Sequence, residues 1–147
     1  MLKKPIHGWT QVSAFGIEIG IASYIKDVPL ICLDTFISYF SNQIRNFIIE
    51  FDGEGTEFGL VEFCDSLCVL QNESDGIAIR EIDASASAAA MLLQLGNELV
   101  RDIEKNLDDW VEWNDFESDP EHRKHMLTEK YKMLKEIIRE KEKERKR

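Results

Sequence analysis

Phe47-Ile48-Ile49-Glu50-Phe51-Asp52-Gly53-Glu54-Gly55 decides the fold: a short apolar and aromatic run leads straight into an acidic turn with two glycines. Glycine reaches the positive φ that tight hairpin turns demand, so the run reads as a strand that folds back on itself. Phe58, Leu60 (or Val61) and Phe63 supply the return strand. Leu67, Val69 and Gln71 then pass through Asn72-Glu73-Ser74-Asp75-Gly76 to Ile77, Ile79 and Glu81, a second hairpin by the same logic. Strands joined by such short polar links pair antiparallel, because parallel neighbours need crossovers of about a dozen residues or more.

Toward the N-terminus, Trp9, Gln11, Ser13 and then Ile17, Ile19, Ile21 alternate with Glu18, Gly20 and Ala22, the two-residue period of half-buried strands. Gly16 interrupts them and predicts a hairpin, or a bent strand kinked at that residue. Asp27 is a candidate N-cap, Pro29 suits a first turn, and Leu30, Leu33, Phe36/Ile37, Phe40 and Ile44 predict a helix near 28–44.

Toward the C-terminus, the alanine-rich run from Ser85 and the stripe Ala88, Met91/Leu92, Leu95, Leu99, Ile103 predict a helix over about 85–106. Gly96 falls inside it, either because the helix approaches the sheet closely there or because the site tolerates glycine. Asp119, Pro120 and Glu121 open a final helix whose Met126/Leu127, Tyr131, Met133/Leu134 and Ile137/Ile138 make a wide apolar stripe. The whole predicts an α+β fold: an antiparallel sheet of about five to six strands, helices packed on one face, and a long C-terminal helix. Residues 1–117 read as an acidic α+β domain and 118–147 as an amphipathic helix with a charged tail. That helix either closes the domain or pairs between chains, as a homodimer through 126–138.

Charge follows the same division. Residues 1–117 hold 7 Lys/Arg against 21 Asp/Glu, residues 118–147 hold 11 against 7, and the total is −10. An acidic body of this kind repels nucleic acid and anionic membrane and attracts basic protein surfaces. The basic stretch 139–147 is interleaved with glutamates and nets +3, a weak footprint for nucleic acid. Phe47, Phe51, Phe58 and Phe63 have acids as neighbours and read as core rather than as a base-stacking platform. No apolar run approaches the ~20 residues of a membrane span, and Lys3 and Lys4 lead into Pro5, His7 and Gly8 rather than a secretory signal. Cys32, Cys64 and Cys68 are an odd set without framework spacing, as expected of free thiols in a cytoplasmic protein.

Reactive constellations are weak. His122, His125 and Glu129 share a helix face, but Arg123 and Lys124 repel a cation and the order is not His-Glu-x-x-His, so no metal site is expected. Gly53-Glu54-Gly55 places an acid where a phosphate would sit, and no Lys-Ser/Thr follows. A Cys–His nucleophile would have to recruit His7, the one histidine outside the last helix. Neither a cofactor nor a catalytic residue is expected.

The best candidate surface is 107–117, where Trp110, Trp113 and Phe116 recur at spacing three among Asp108, Asp109, Glu112, Asp115 and Glu117. Such a ridge serves either as a hot spot for a basic partner or as a short helix or turn that clamps the sheet with its aromatics. Glu50, Asp52, Glu54 and Glu57, gathered around one turn, form a second acidic patch.

Gly8-Trp9, Ile17-Glu18-Ile19, Ala22-Ser23-Tyr24-Ile25-x-Asp27 and Asp52-Gly53-Glu54-Gly55 resemble motifs of a group of small bacterial proteins without an established activity, over about residues 8–62. The chain is also similar, more loosely, to immunity proteins of bacterial polymorphic toxin systems. That second likeness implies a small, cytoplasmic, acidic α+β domain that is not an enzyme and covers the basic active-site surface of a toxin domain. It transfers no residue roles. The expectation is a protein-binding domain for a basic partner, with Asp108, Asp109, Trp110, Glu112, Trp113 and Asp115 as first patch and Glu50, Asp52, Glu54 and Glu57 as second. The alternatives are a structural or regulatory homo-oligomer and a small-ligand domain with its pocket between sheet and helices.

Overall fold

The computed structural model describes residues 1–113 and 119–147. In chain order the elements are β1 (Trp9–Ala14), β2 (Ile17–Ser23), α1 (Val28–Phe40), β3 (Phe47–Asp52), β4 (Glu57–Phe63), β5 (Ser66–Glu73), β6 (Gly76–Glu81), α2 (Ala88–Lys105), α3 (Leu107–Glu112) and α4 (Pro120–Arg145). The fold is α+β, and β3 to β6 form an antiparallel meander in that spatial order. Residues with positive φ close its links: Glu54 and Gly55 after β3, Cys64 and Asp65 after β4, Gly76 at the start of β6.

The six strands do not share one sheet, as the sequence suggests; β1 and β2 pair only with each other. Their turn is Phe15-Gly16, both at positive φ, and the register irregularity sits at Val12/Ser13 rather than at Gly16. The hairpin lies against the meander instead of extending it. A Cβ on Gly20 would fall 2.8 Å from three carbons of the Phe58 ring, so only glycine lets β2 come this close. Gln71 Nε2 completes the contact by donating to the Glu18 and Ile19 carbonyls, each at 3.1 Å.

Strand alternation sorts the meander into two faces. Phe47, Ile49 and Phe51, then Phe58 and Leu60, then Leu67 and Val69 point inward and are buried beneath β2, α1 and α2. Burying each such side chain stabilises by ~1.5–3 kcal/mol, so this face holds the sheet to the rest of the chain. Phe63 departs from the sequence expectation: it has outward parity and is 61% exposed.

Helix ends follow local chemistry more tightly than the apolar pattern does. α1 stops at Phe40, short of Ile44, because Asn42 turns left-handed at φ 58. α2 begins at Ala88 rather than near 85, because both Oγ and N of Ser85 donate to Asp83 Oδ1, holding that residue in the preceding turn. The free amides of α2 are then met by Ser87 Oγ, accepting from Ala90 N at 3.1 Å, and Asp65 Oδ1, accepting from Ala89 N at 3.1 Å. α4 starts where the sequence places it, with Asp119 accepting from the amides of Glu121 and His122.

The apolar stripe of α4 is buried within its own chain: Leu127, Tyr131, Leu134 and Ile138 pack among α1, α2 and α3. The surface that a homodimer through 126–138 would use is thereby mostly occupied; Met126 and Ile137 are half-buried and Met133 is 52% exposed. Gly96 explains how α4 fits. A Cβ there would stand 2.5 Å from Ile138 Cδ1, so the close approach is to α4 and not to the sheet.

Candidate functional site

The first sequence candidate, 107–113, is an internal joint. α3 is a short helix carrying Asp108 and Asp109 in its first turn, and it buries Trp110 completely. Trp110 Nε1 donates to the Asp102 carbonyl and Trp113 Nε1 to the Lys26 carbonyl, both at 3.2 Å, and the two rings lie 5.4 Å apart. Trp113 is 5% exposed. Both indoles are therefore spent on packing, in the clamp arrangement, although it is helices and the β2–α1 link that they join. Of the acids, Asp108 pairs with Lys124 at 3.3 Å, Asp109 is half-buried and Glu112 is exposed. Asp115 lies outside the described residues, as do Phe116 and Glu117.

Arg123 locks this joint, and nothing in the sequence marks it out from Lys124 beside it. It is 1% exposed. Its Nη1 and Nη2 reach the two carboxylate oxygens of Asp27 at 2.6 and 3.0 Å, while Nε and Nη2 donate to the Trp110 carbonyl at 3.1 and 3.0 Å. A planar guanidinium suits a two-pronged bond of this kind, which lysine cannot make. Asp27 does sit at the N-cap position of α1, but its side chain makes no capping bond because it is committed to Arg123.

The second candidate patch lies on the outward face of the meander. Register places Ile48, Val61, Cys68 and Glu81 in one row across the four strands, and Glu50, Gly59, Leu70 and Ile79 in the next. Asp52 stands directly opposite Glu57, and Asn72 opposite Ile77. An apolar band thus runs from Ile48 through Val61 and Leu70 to Ile79 and Ile77, with acids at its corners. Ile48, Ile77 and Ile79 are each more than half exposed, and no helix among the described residues covers them. Exposed apolar patches of this kind, rimmed by charge, mark interaction surfaces.

The electrostatics of this region are one-sided. Between Phe47 and Asp83 the chain carries ten Asp/Glu and one basic residue, Arg80. Arg80 is held on its own strands by Gln71 and sits 3.9 Å from Glu73. Glu50 meets Lys26 at a loose 3.7 Å. Asp52 accepts the Glu54 amide at 2.7 Å, which fixes the turn, and Glu54 and Glu57 face solvent. Like charges directly opposite on neighbouring strands repel, so Asp52 and Glu57 raise the local cost of the empty surface. Of the four residues in this patch, Glu50, Asp52 and Glu57 share the outward face and Glu54 caps its turn; the structure does not bring them to the 107–113 joint.

Burial pushes the Cys32 thiol up to about 12, with the nearby amino terminus opposing and Asp27 adding to the shift, so it stays neutral and inert. Burial, then Glu81, raises Cys68. His125 forms an exposed pair with Glu129 at 3.1 Å, and among the described residues no three candidate ligands converge on a metal position.

A cavity of about 550 Å³ opens between the end of α1, the β4–β5 turn and the last turns of α4, lined by Tyr39, Arg45, Glu62, Cys64, Lys141 and Arg145 among others. Part of its polar wall is engaged, since Glu62 accepts from the Asn46 and Asp65 amides and Lys141 pairs with Glu144, while Arg45 and Arg145 add two further cations to the lining. None of the three histidines lines it. Burial raises Tyr39 above its usual range, with Glu62 and Asp65 adding to the effect.

No helix among the described residues is long and apolar enough to cross a membrane. No protein-family model, curated protein or solved structure gives a significant match to this chain. Function therefore rests on the surface itself.

Proposed function

We propose that this chain is a non-enzymatic binding domain that captures a basic protein partner on the outward face of its meander. The reading extends to an immunity-type role, in which the partner is a toxin domain whose cationic active-site surface becomes covered. One observation carries it: Glu50, Asp52, Glu57 and Glu81 rim an outward apolar band that nothing among the described residues covers. Carboxylates at the corners steer a Lys/Arg-rich partner into encounter, and the exposed isoleucines supply area that loses water on docking. The binding face thus moves from the tryptophan segment to Glu50, Asp52, Glu57 and Glu81 around Ile48, Ile77 and Ile79.

The test is association with the product of the adjoining reading frame, measured as a rate against ionic strength. Steered association slows steeply as salt rises, because the Debye length contracts from about 30 Å at 0.01 M to about 10 Å at 0.1 M. A salt-independent association rate would contradict the mechanism. A neighbouring frame that encodes a large secreted toxin supports the immunity role, and a metabolic neighbour removes it.

A further inference from the structure

β6 is the bare edge of the meander. Among the described residues it hydrogen-bonds to β5 alone, and it keeps one register with it from Glu73/Gly76 to Cys68/Glu81 without a bulge. Five of its six residues are exposed and Ala78 is half-buried. Edge strands of folded proteins are normally blunted by proline, lysine, a bulge or a covering element. Gly76-Ile77-Ala78-Ile79-Arg80-Glu81 has no proline, lysine or bulge, and its one cation is turned back to Gln71. The opposite edge differs: β3 runs beside α1 and β2, and its Glu50 meets Lys26.

We infer that β6 is a strand-addition site, and that the basic partner contributes an extended segment which pairs with it as a fifth strand. This rests on the proposed function and specifies how that partner is held. The added strand would place alternate apolar side chains beside Ile77 and Ile79, continuing the outward band. Its ends would meet acids on both sides, Glu73 and Asp75 at the β5–β6 turn and Glu81 and Asp83 at the far end. The segment that fits is therefore apolar in alternation at its centre and lysine- or arginine-rich at both ends. Backbone pairing supplies affinity and the alternating side chains supply selection.

A second copy fits less well. Antiparallel pairing of two β6 strands sets Glu73 and Asp75 of one chain against Glu81 and Asp83 of the other, and all four are acids. Like charges across a strand pair are destabilising.

The probe is the blocked peptide acetyl-Lys-Lys-Val-Thr-Val-Thr-Val-Lys-Lys-amide, added to isotope-labelled full-length protein at low salt. Two further versions carry N-methyl groups on alternate backbone amides, one on the valines and one on the threonines, leaving charge unchanged. The expected result is saturable binding with amide shifts concentrated on 76–81, and an affinity loss of at least about tenfold for the one version whose methylated amides face β6. Equal affinity for all three peptides overturns strand addition and leaves charge-driven capture standing. No binding by the parent peptide removes the basic-partner reading together with the strand-addition site. A concentration-dependent dimer with shifted β6 amides in the absence of peptide overturns the choice of occupant.

Discussion

The 107–113 segment and the β3–β6 meander are built from one recipe, large apolar side chains set among carboxylates, and they meet opposite fates. Around 107–113 the first turns of α4 deliver Arg123 and Lys124, so one carboxylate is paired, a backbone carbonyl is bonded and both tryptophans turn inward. The meander receives from its neighbours only Lys26, at a loose 3.7 Å from Glu50, among the described residues. Its basic count is one, that one is engaged at home, and its outward isoleucines stay in water. Acidic content does not distinguish a joint from a docking face; the position of the counter-charge does.

The largest effect should come from breaking the joint. Removing one partner of a buried ion pair leaves the other uncompensated, so Arg123→Ala should lower unfolding stability by about 3–5 kcal/mol. Asp27, the carboxylate left behind, has a side chain only 17% exposed. Lys124→Ala, which breaks the exposed pair with Asp108, should cost less than about 0.5 kcal/mol. Urea denaturation of the two variants checks this, and equal losses would show that Arg123 is no clamp.

The next comparison sets the two faces of the sheet against each other. Val69→Thr puts a hydroxyl on the covered face and should cost about 1–3 kcal/mol. Ile79→Thr makes a similar change on the open face and should stay within about 0.5 kcal/mol. A large loss at Ile79 would mean that the outward band is structural and not free for a partner.

Binding should respond in the opposite sense. Replacing Glu50, Asp52 and Glu57 together by lysine should slow association with the partner by at least about tenfold at low salt, with little change at high salt. The same reversal at Asp108, Asp109 and Glu112 should slow it less, because these acids surround a joint whose tryptophans are buried rather than the exposed isoleucine band. Stopped-flow rates for the two triple variants decide which patch steers.

Much of this architecture is legible in the residues. Alternation in Phe47–Phe51 and the glycines that follow specify a hairpin without further context, and Asp119-Pro120 marks a helix start that capping chemistry enforces. What alternation does not reveal is which face acquires a cover. Phe63 and Phe58 have the same chemistry and opposite parity, and only tertiary placement decides that one is exposed and the other buried. The division into two sheets was equally hidden, because it turns on a glycine contact, Gly20 against Phe58, between strands far apart in the chain. Arg123 was hidden by its neighbours: in a helix start rich in His, Lys and Glu, one arginine looks solvated until Asp27 and the Trp110 carbonyl come to meet it.

The smallest effect tests the docking face most directly. Asp52 and Glu57 are opposed across β3 and β4, so the empty face stores repulsion that a basic partner relieves. Glu57→Lys turns that opposition into an attractive cross-strand pair and should raise stability by about 0.2–1 kcal/mol. The same substitution removes one steering charge and should weaken capture. A residue whose replacement strengthens the fold while weakening binding is retained for the partner rather than for the fold. Measured on one variant, thermal unfolding and association rate should therefore move in opposite directions. If Glu57→Lys lowers both, the carboxylate supports the hairpin itself and the case for an acid-rimmed docking face loses its corner.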